Sequence, residues 1–239
     1  MNFKKVSTWH EFTNCPAIGV DVCKKYLDLV GLCGSTSYCR RIDNTAQAIG
    51  EFAKALVQQE FKGTILCEAT SHYHLVLAVM SCEAELDIRV INPLLSSKHA
   101  KSAIRKTKTD KVDAHVLATM VLTEPNLPPP LKLTRSHCLV RHTLGLIHSQ
   151  EQHLQGIKRS LDSYLERLSQ LNLEAGNAYK QAVEVFKQFK DCHKHLLSEL
   201  ESYLLAPQPE RQAAIERVCA VPGITRRNAA LFTFVLDPK

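Results

Sequence analysis

Three strand-like runs stand so close together in this chain that only hairpins can join them. They are Ala17–Val22 (A-I-G-V-D-V), Tyr26–Cys33 and Tyr38–Asp43, with Gly34-Ser35 as a turn between the last two. A parallel pair needs a crossover of about a dozen residues or more, so these strands must be antiparallel. The pattern then changes period. Thr45 is placed to cap a helix reaching about Glu60, with Ile49, Phe52, Ala53 and Leu56 on one face. Thr64–Cys67 predicts a buried strand, His74–Glu85 a helix, and Ile88–Ile91 a strand ended by Asn92-Pro93. Ser96–Arg105 and Asp110–Leu122 predict two more helices, the first basic, the second with Asp110 as a cap.

Three antiparallel strands, then helix, strand, helix, strand and helices is the element order of an α/β domain of the ribonuclease H-like type. Fold alone says little about function. The Pro-rich stretch Glu124–Leu131 reads as a stiff linker. A long helical region follows. Val140, Ile147, Leu154, Leu161, Leu168, Ala175, Ala182, Phe189, Leu196 and Tyr203 recur every seven residues, which predicts a coiled coil. Gly176 beside Asn177 marks a bend that would make it a hairpin of two helices. The expected domains are therefore 1–123, a linker at 124–134, a helical coiled-coil region at 135–206, and an incomplete helical domain from 207 to 239.

The chain has 239 residues, 45% hydrophobic and 23% charged, which fits a globular protein rather than a disordered one. Thirty Lys and Arg against 24 Asp and Glu leave a net charge of +6, which favours a polyanionic partner without showing one. The longest stretch free of charged residues, Ala69–Cys82, is too short to span a membrane. Met1–Val20 has no apolar core of a secretion signal, and the nine cysteines form no C-x-x-C, so a cytoplasmic protein with reduced thiols is expected. No phosphate-binding loop of the G-x-x-x-x-G-K-[ST] kind is present, so no ATP site is suggested.

Four carboxylates stand out by context. Asp21 lies inside an apolar strand, on the face opposite Val20 and Val22. Such an acid is costly unless paired or metal-bound. Glu68 ends the strand T-I-L-C-E, and strand ends are where open α/β sheets place their sites. Asp110 and Asp113, three apart, share a helix face. Taken singly, each fits an ordinary surface or capping role. Together they form an oxygen donor set suited to Mg²⁺, with Mn²⁺ as a substitute, and paired metals can clamp the attacking and leaving oxygens of a phosphoryl displacement. A basic stripe leads into the last acids: Lys98, Lys101 and Arg105 at helical spacing, then Lys106, Lys108 and Lys111. A solvated helix face is the commoner reading of such a run, but beside the acids it suits contact with a nucleic-acid backbone.

The strings G-V-D-V-C-K, C-E-A-T-S-H-Y-H, V-I-N-P and K-T-K-T-D-K-V-D-A, in this order across Ala17–Leu122, resemble the DEDD transposases of the insertion-sequence 110 family, which include Piv/MooV-type DNA invertases. V-P-G-I at Val221–Ile224 resembles the opening of that family's C-terminal domain. The resemblance implies a RuvC-like N-terminal domain, with Asp21, Glu68, Asp110 and Asp113 as a catalytic, metal-binding tetrad. It also implies DNA as substrate, a structured guide RNA in several members, and self-association through a coiled coil. The family's nucleophilic serine would lie beyond Lys239, so no residue of this chain is assigned that role. Ser71 stands where the family has Gly after E-A-T, and Thr225 replaces the second Gly of the later turn.

The expected function is thus that of a transposase or site-specific DNA recombinase. The alternatives are a nucleic-acid-binding fragment that does not cut, and a RuvC-like junction nuclease using water. His72, His74 and His115 make a weak metal set without a cysteine pair. Tyr73 is expected to order the site or pack beside it. Cys23 and Cys67 read as core, Cys192–His195 as a solvated stretch, and Arg226 and Arg227 as phosphate contacts or covers for an apolar helix.

Overall fold

The computed structural model describes the backbone of residues 3–102, 110–206 and 209–236, without the side chains of 98–102, 110–111, 209–211 and 235–236. The chain divides into two compact units, Met1–Thr134 and Arg135–Lys239.

The first unit opens with a short strand β1 (Phe3–Lys5) and a helical turn α1 (His10–Thr13). The three expected strands follow as β2 (Ala17–Val22), β3 (Tyr26–Cys33) and β4 (Thr36–Asp43). Cys33 pairs with Thr36 across a two-residue turn, and Gly34 there takes a φ of 58°, which a glycine adopts without steric cost. Then come α2 (Ala46–Gln58), β5 (Thr64–Glu68), α3 (Leu75–Glu83), β6 (Asp87–Ile91), α4 (Pro93–Ser102) and α5 (Asp110–Thr123). Thr45 caps α2 as expected, its hydroxyl accepting from the Ala48 amide.

One mixed sheet results, with strand order β1-β4-β3-β2-β5-β6. The β2–β3 and β3–β4 pairs are antiparallel, and β2, β5 and β6 run parallel. This arrangement is consistent with a ribonuclease H-like domain. The edge strand β1, parallel to β4, was not foreseen.

Alternation gives the sheet two unlike faces. Ile18, Val20, Val22, Leu27, Leu29, Ile65, Cys67 and Ile88 pack with Phe12 of α1, Phe52 and Leu56 of α2 and Leu77 of α3 in one large apolar core. The opposite face is covered by α5. Its Ala114 and Ala118 meet Val30, Leu32 and Cys39, and its Leu117 and Met120 meet Leu66 and Ile91. At the centre of that face stands Gly19. A Cβ there would fall on the Ala114 carbonyl oxygen and the Ala118 nitrogen, and lie 3.0 Å from Leu117 Cβ. The helix backbone therefore rests directly on β2.

The Pro-rich stretch does not hang free of the sheet. The Leu131 amide donates to the Ile88 carbonyl at 2.8 Å, Arg89 Nη1 donates to the Pro128 carbonyl, and Leu131 and Leu133 pack against the main core.

The second unit contains α6 (Arg135–Gln170), α7 (Asn177–Leu204), α8 (Pro209–Cys219) and α9 (Arg226–Leu236). Helix α6 ends with Asn172 in the left-handed region at φ 51°, and the Leu173 amide donates back to the Leu168 carbonyl. Gly176 is the cap residue of α7 rather than the bend itself. Of the seven-residue count, Val140, Ile147 and Leu196 pack in one cluster. Val140 and Ile147 are buried on α6, but on α7 the buried residues are His193, Leu200 and Leu204, while Tyr203 is exposed. His193 is thus not solvated: its Nδ1 lies 3.1 Å from Gln150 Oε1 and its Nε2 3.8 Å from Glu151 Oε1. Thr225 precedes α9 and accepts from the Asn228 amide through its hydroxyl, a capping role that a glycine could not fill. Among the described residues no helix is long and apolar enough to cross a membrane.

The approach at Gly19 predicts an asymmetry between two glycine substitutions. Gly19→Ala should lower stability in urea unfolding by about 3 kcal/mol, because backbone rather than a flexible side chain must move. Gly145→Ala on α6, where a Cβ meets nothing within 4 Å, should raise it by up to about 1 kcal/mol.

Candidate active site

Asp21 is two residues beyond Gly19 on β2, so it lies on the face that α5 covers. Glu68 is two residues beyond Leu66 on β5, the residue that pairs with Gly19 and packs under α5. Val20 pairs with Cys67, which makes Asp21 and Glu68 the next residues on two adjacent parallel strands. Neighbouring strands are about 4.8 Å apart. Both acids are half-buried.

The same row continues across the hairpins. Asp21 stands opposite Asp28 on β3, and Asp28 opposite Arg41 on β4. One line of the sheet therefore reads Arg41, Asp28, Asp21, Glu68. Asp28 is only 2% exposed. Its two carboxylate oxygens accept from Arg41 Nε and Nη2, a bidentate pair. The Arg41 guanidinium also lies 3.8 Å from the centre of the Tyr26 ring. Asp28 and Arg41 escaped the reading of the sequence. The two sit 13 residues apart in the chain, and only the hairpin register brings them together.

Asp113 immediately precedes Ala114, the residue whose carbonyl lies over Gly19, and is half-buried. Asp110 begins α5, but its side chain lies outside the described residues, as do those of Lys98, Lys101 and Lys111. Arg105, Lys106 and Lys108 lie outside them entirely. Among the described residues no group of three or more His, Cys, Asp or Glu side chains is arranged to hold a metal ion. The expected histidines have separate surroundings: His72 tilts against Tyr73 at 4.4 Å, His74 is buried, and His115 meets the edge of Phe3 at 5.7 Å. Arg227 pairs with Glu201 at 3.1 Å.

The loops beside the acids are tied by Asn44, a second residue the sequence did not announce. Its Nδ2 donates to the Cys23 carbonyl, just past Asp21, and to the Tyr73 carbonyl, in the loop after Glu68. Cys67, beside Glu68, points into the opposite core. Burial, aided by the Glu68 charge, pushes its thiol up to about 12, so it stays protonated at neutral pH and is no nucleophile. Ser71 occupies the left-handed region at φ 50°. This explains in physical terms why glycine suits that position.

A mixed sheet with Asp21 and Glu68 side by side on adjacent parallel strands, on the face that α5 covers, is consistent with an α/β domain of the ribonuclease H-like kind. The profile of the DEDD transposase family of insertion sequence 110, described as a transposase, matches residues 18–166, more than half of the chain. The chain belongs to that family. It is also similar to a pilin gene-inverting protein of Moraxella bovis, 28% identical over 139 residues, covering 57% of this chain and 42% of that protein. The match spans less than half of that curated relative's length.

Two substitutions test this geometry. Arg41→Ala leaves Asp28 buried without its cation and should cost about 2 kcal/mol in thermal or urea unfolding, a figure discounted because the Arg41 side chain is 49% exposed. Asp28→Asn should cost less. Ser71→Gly relieves the left-handed strain and should raise stability by about 0.5–1 kcal/mol in the same measurement.

Proposed function

We propose that this chain carries a metal-binding site for DNA strand transfer and acts in transposition or site-specific inversion. Asp21, Glu68, Asp110 and Asp113 are the catalytic acids of this reading. The observation that carries it is the placement of Asp21 and Glu68 side by side on neighbouring parallel strands, on the face that α5 covers. Carboxylate oxygens are the donors hard divalent cations take, and Mg²⁺ needs only one or two of them plus water and substrate phosphate. The donor set therefore fits Mg²⁺ or Mn²⁺. When bound, the ion supplies Lewis-acid stabilisation of charge on the scissile phosphate.

The protein's own part is positional. β2 and β5 fix two carboxylates side by side, and α5, seated on Gly19 through Ala114 and Ala118, is the helix assigned the other two, Asp110 and Asp113. Asn44 ties the loops that follow both strands, and Asp28 with Arg41 closes the row. The stripe Lys98, Lys101, Arg105, Lys106, Lys108 and Lys111 is assigned to DNA or to a structured guide RNA. Self-association is assigned to the helical hairpin. Leu139, Leu146, Ile157 and Tyr164 of α6 and Val185 of α7 are exposed apolar residues in keeping with a further helix packed there. The region from 207 to 239 is read as the opening of the family's C-terminal domain, and the working compartment as the cytoplasm.

Asp21→Ala should abolish recombination between element ends in a cell-based assay of the gene that encodes this chain, by about a hundred-fold or more. Its unfolding transition should remain near that of the unsubstituted protein. Recombination that survives the change would remove the tetrad assignment.

A further inference from the structure

The ladder between β2 and β5 runs from the Ala17–Thr64 pair to the Val20–Cys67 pair. Asp21 and Glu68 are the next residues on their strands, past its last pair. Each is paired outward instead, Asp21 with Asp28 on β3 and Glu68 with Ile91 on β6. In open α/β sheets a crevice forms beyond the carboxyl ends of such strands. Asn44 links the two strand extensions there. Its Nδ2 donates to the Cys23 carbonyl at 2.9 Å and to the Tyr73 carbonyl at 3.1 Å. Cys23 is two residues past Asp21, and Tyr73 five past Glu68.

The segments that Asn44 joins are themselves held. After Asp21, the Cys23 amide donates to the Tyr26 carbonyl, and the Asn44 amide to the Lys25 carbonyl at 3.0 Å. After Glu68, the Ala69 amide donates to the Ile91 carbonyl, the Thr70 amide to the Glu68 carbonyl, and the Tyr73 amide to the Thr70 carbonyl. Tyr73 also packs against the main core. Asn44 stands between the end of β4 and Thr45, the cap of α2. Its Oδ1 is buried with no hydrogen-bond partner among the described residues. Only one orientation of the amide therefore serves, since the reverse would set an acceptor against two carbonyls.

We infer that Asn44 is a positioning residue of the acid pair: it holds the ends of β2 and β5 at a fixed separation, and so favours a small divalent cation over a large one. This deepens the proposed function and rests on it. A side-chain amide has two N–H donors, and here one goes to each loop. Mg²⁺ demands a near-ideal octahedron of oxygens, whereas Ca²⁺ takes more oxygens at longer and more variable distances. Carboxylates held at one spacing suit the first ion, and carboxylates free to part suit the second. Groups that orient metal ligands without touching the metal are worth about ten- to a hundred-fold in affinity. Alanine at position 44 removes both donors and leaves the acids on their own strands.

The test is isothermal titration of the whole chain with Mn²⁺, in place of Mg²⁺, and separately with Ca²⁺. Asn44→Ala should weaken Mn²⁺ binding by about ten-fold and Ca²⁺ binding by much less. The control is Thr45→Ala, which lowers stability through loss of the α2 cap but leaves the Asn44 link in place; both ions should bind it as they bind the parent. Asn44→Ser keeps one donor and replaces the alanine variant if that one does not fold; it should show a smaller loss of the same kind. Parent protein that binds Mn²⁺ while the Asn44 variant binds it equally well would overturn the inference and leave the proposed function standing. So would equal losses for Mn²⁺ and Ca²⁺, or equal losses in the Asn44 and Thr45 variants. Parent protein that binds neither ion would overturn both readings.

Discussion

The first unit depends on the contact between Gly19 and the backbone of α5. A side chain of any size at that position would lift the helix off the sheet. Ala114 and Ala118 complete the fit from the helix side, and larger residues return only at its flanks, where Leu117 and Met120 fill the space over β5 and β6. The helix that begins with Asp110 and Asp113 is therefore seated by its small residues. Where it is seated decides which residues of the sheet it overlooks, and two residues along β2 from the contact stands Asp21.

Division of labour between the two faces follows from this seat. The α1–α3 face is apolar along the full length of the central strands and supplies most of the buried hydrophobic surface. That leaves the α5 face able to carry charge at one end. There the row reads Arg41, Asp28, Asp21, Glu68, with Arg41 and Asp28 paired to each other. The buried Asp28 has its own cation, so it holds the hairpins in register. Asp21 and Glu68 are half-buried.

Much of this was legible in the sequence wherever local pattern decides structure. The crowded strands, the Thr45 cap, the acid within A-I-G-V-D-V and the order of the motifs all pointed to the sheet and its acids. What stayed hidden depends on register or on long-range contact. β1 is three residues long and acquires a strand's role only by pairing with β4. Asp28 stands between Leu27 and Leu29 in a strand buried on both faces, and only the register sets Arg41 beside it. The seven-residue count runs through Leu171–Gly176, where the helix is interrupted at the left-handed Asn172. His193 reads as solvated from its charged neighbours but lies against Gln150 and Glu151 of the facing helix. The Pro-rich stretch has a linker's composition, yet the Leu131 amide completes a hydrogen bond at the sheet edge.

The central claim is that Asp21 and Glu68, set side by side by strand register, bind a divalent cation. Isothermal titration of the chain with Mn²⁺, followed by the same titration of Asp21→Asn and Glu68→Gln, tests it directly. The account predicts saturable binding that both substitutions weaken by at least about ten-fold with the fold intact. Binding that is absent in the parent chain, or unchanged in both variants, would contradict it.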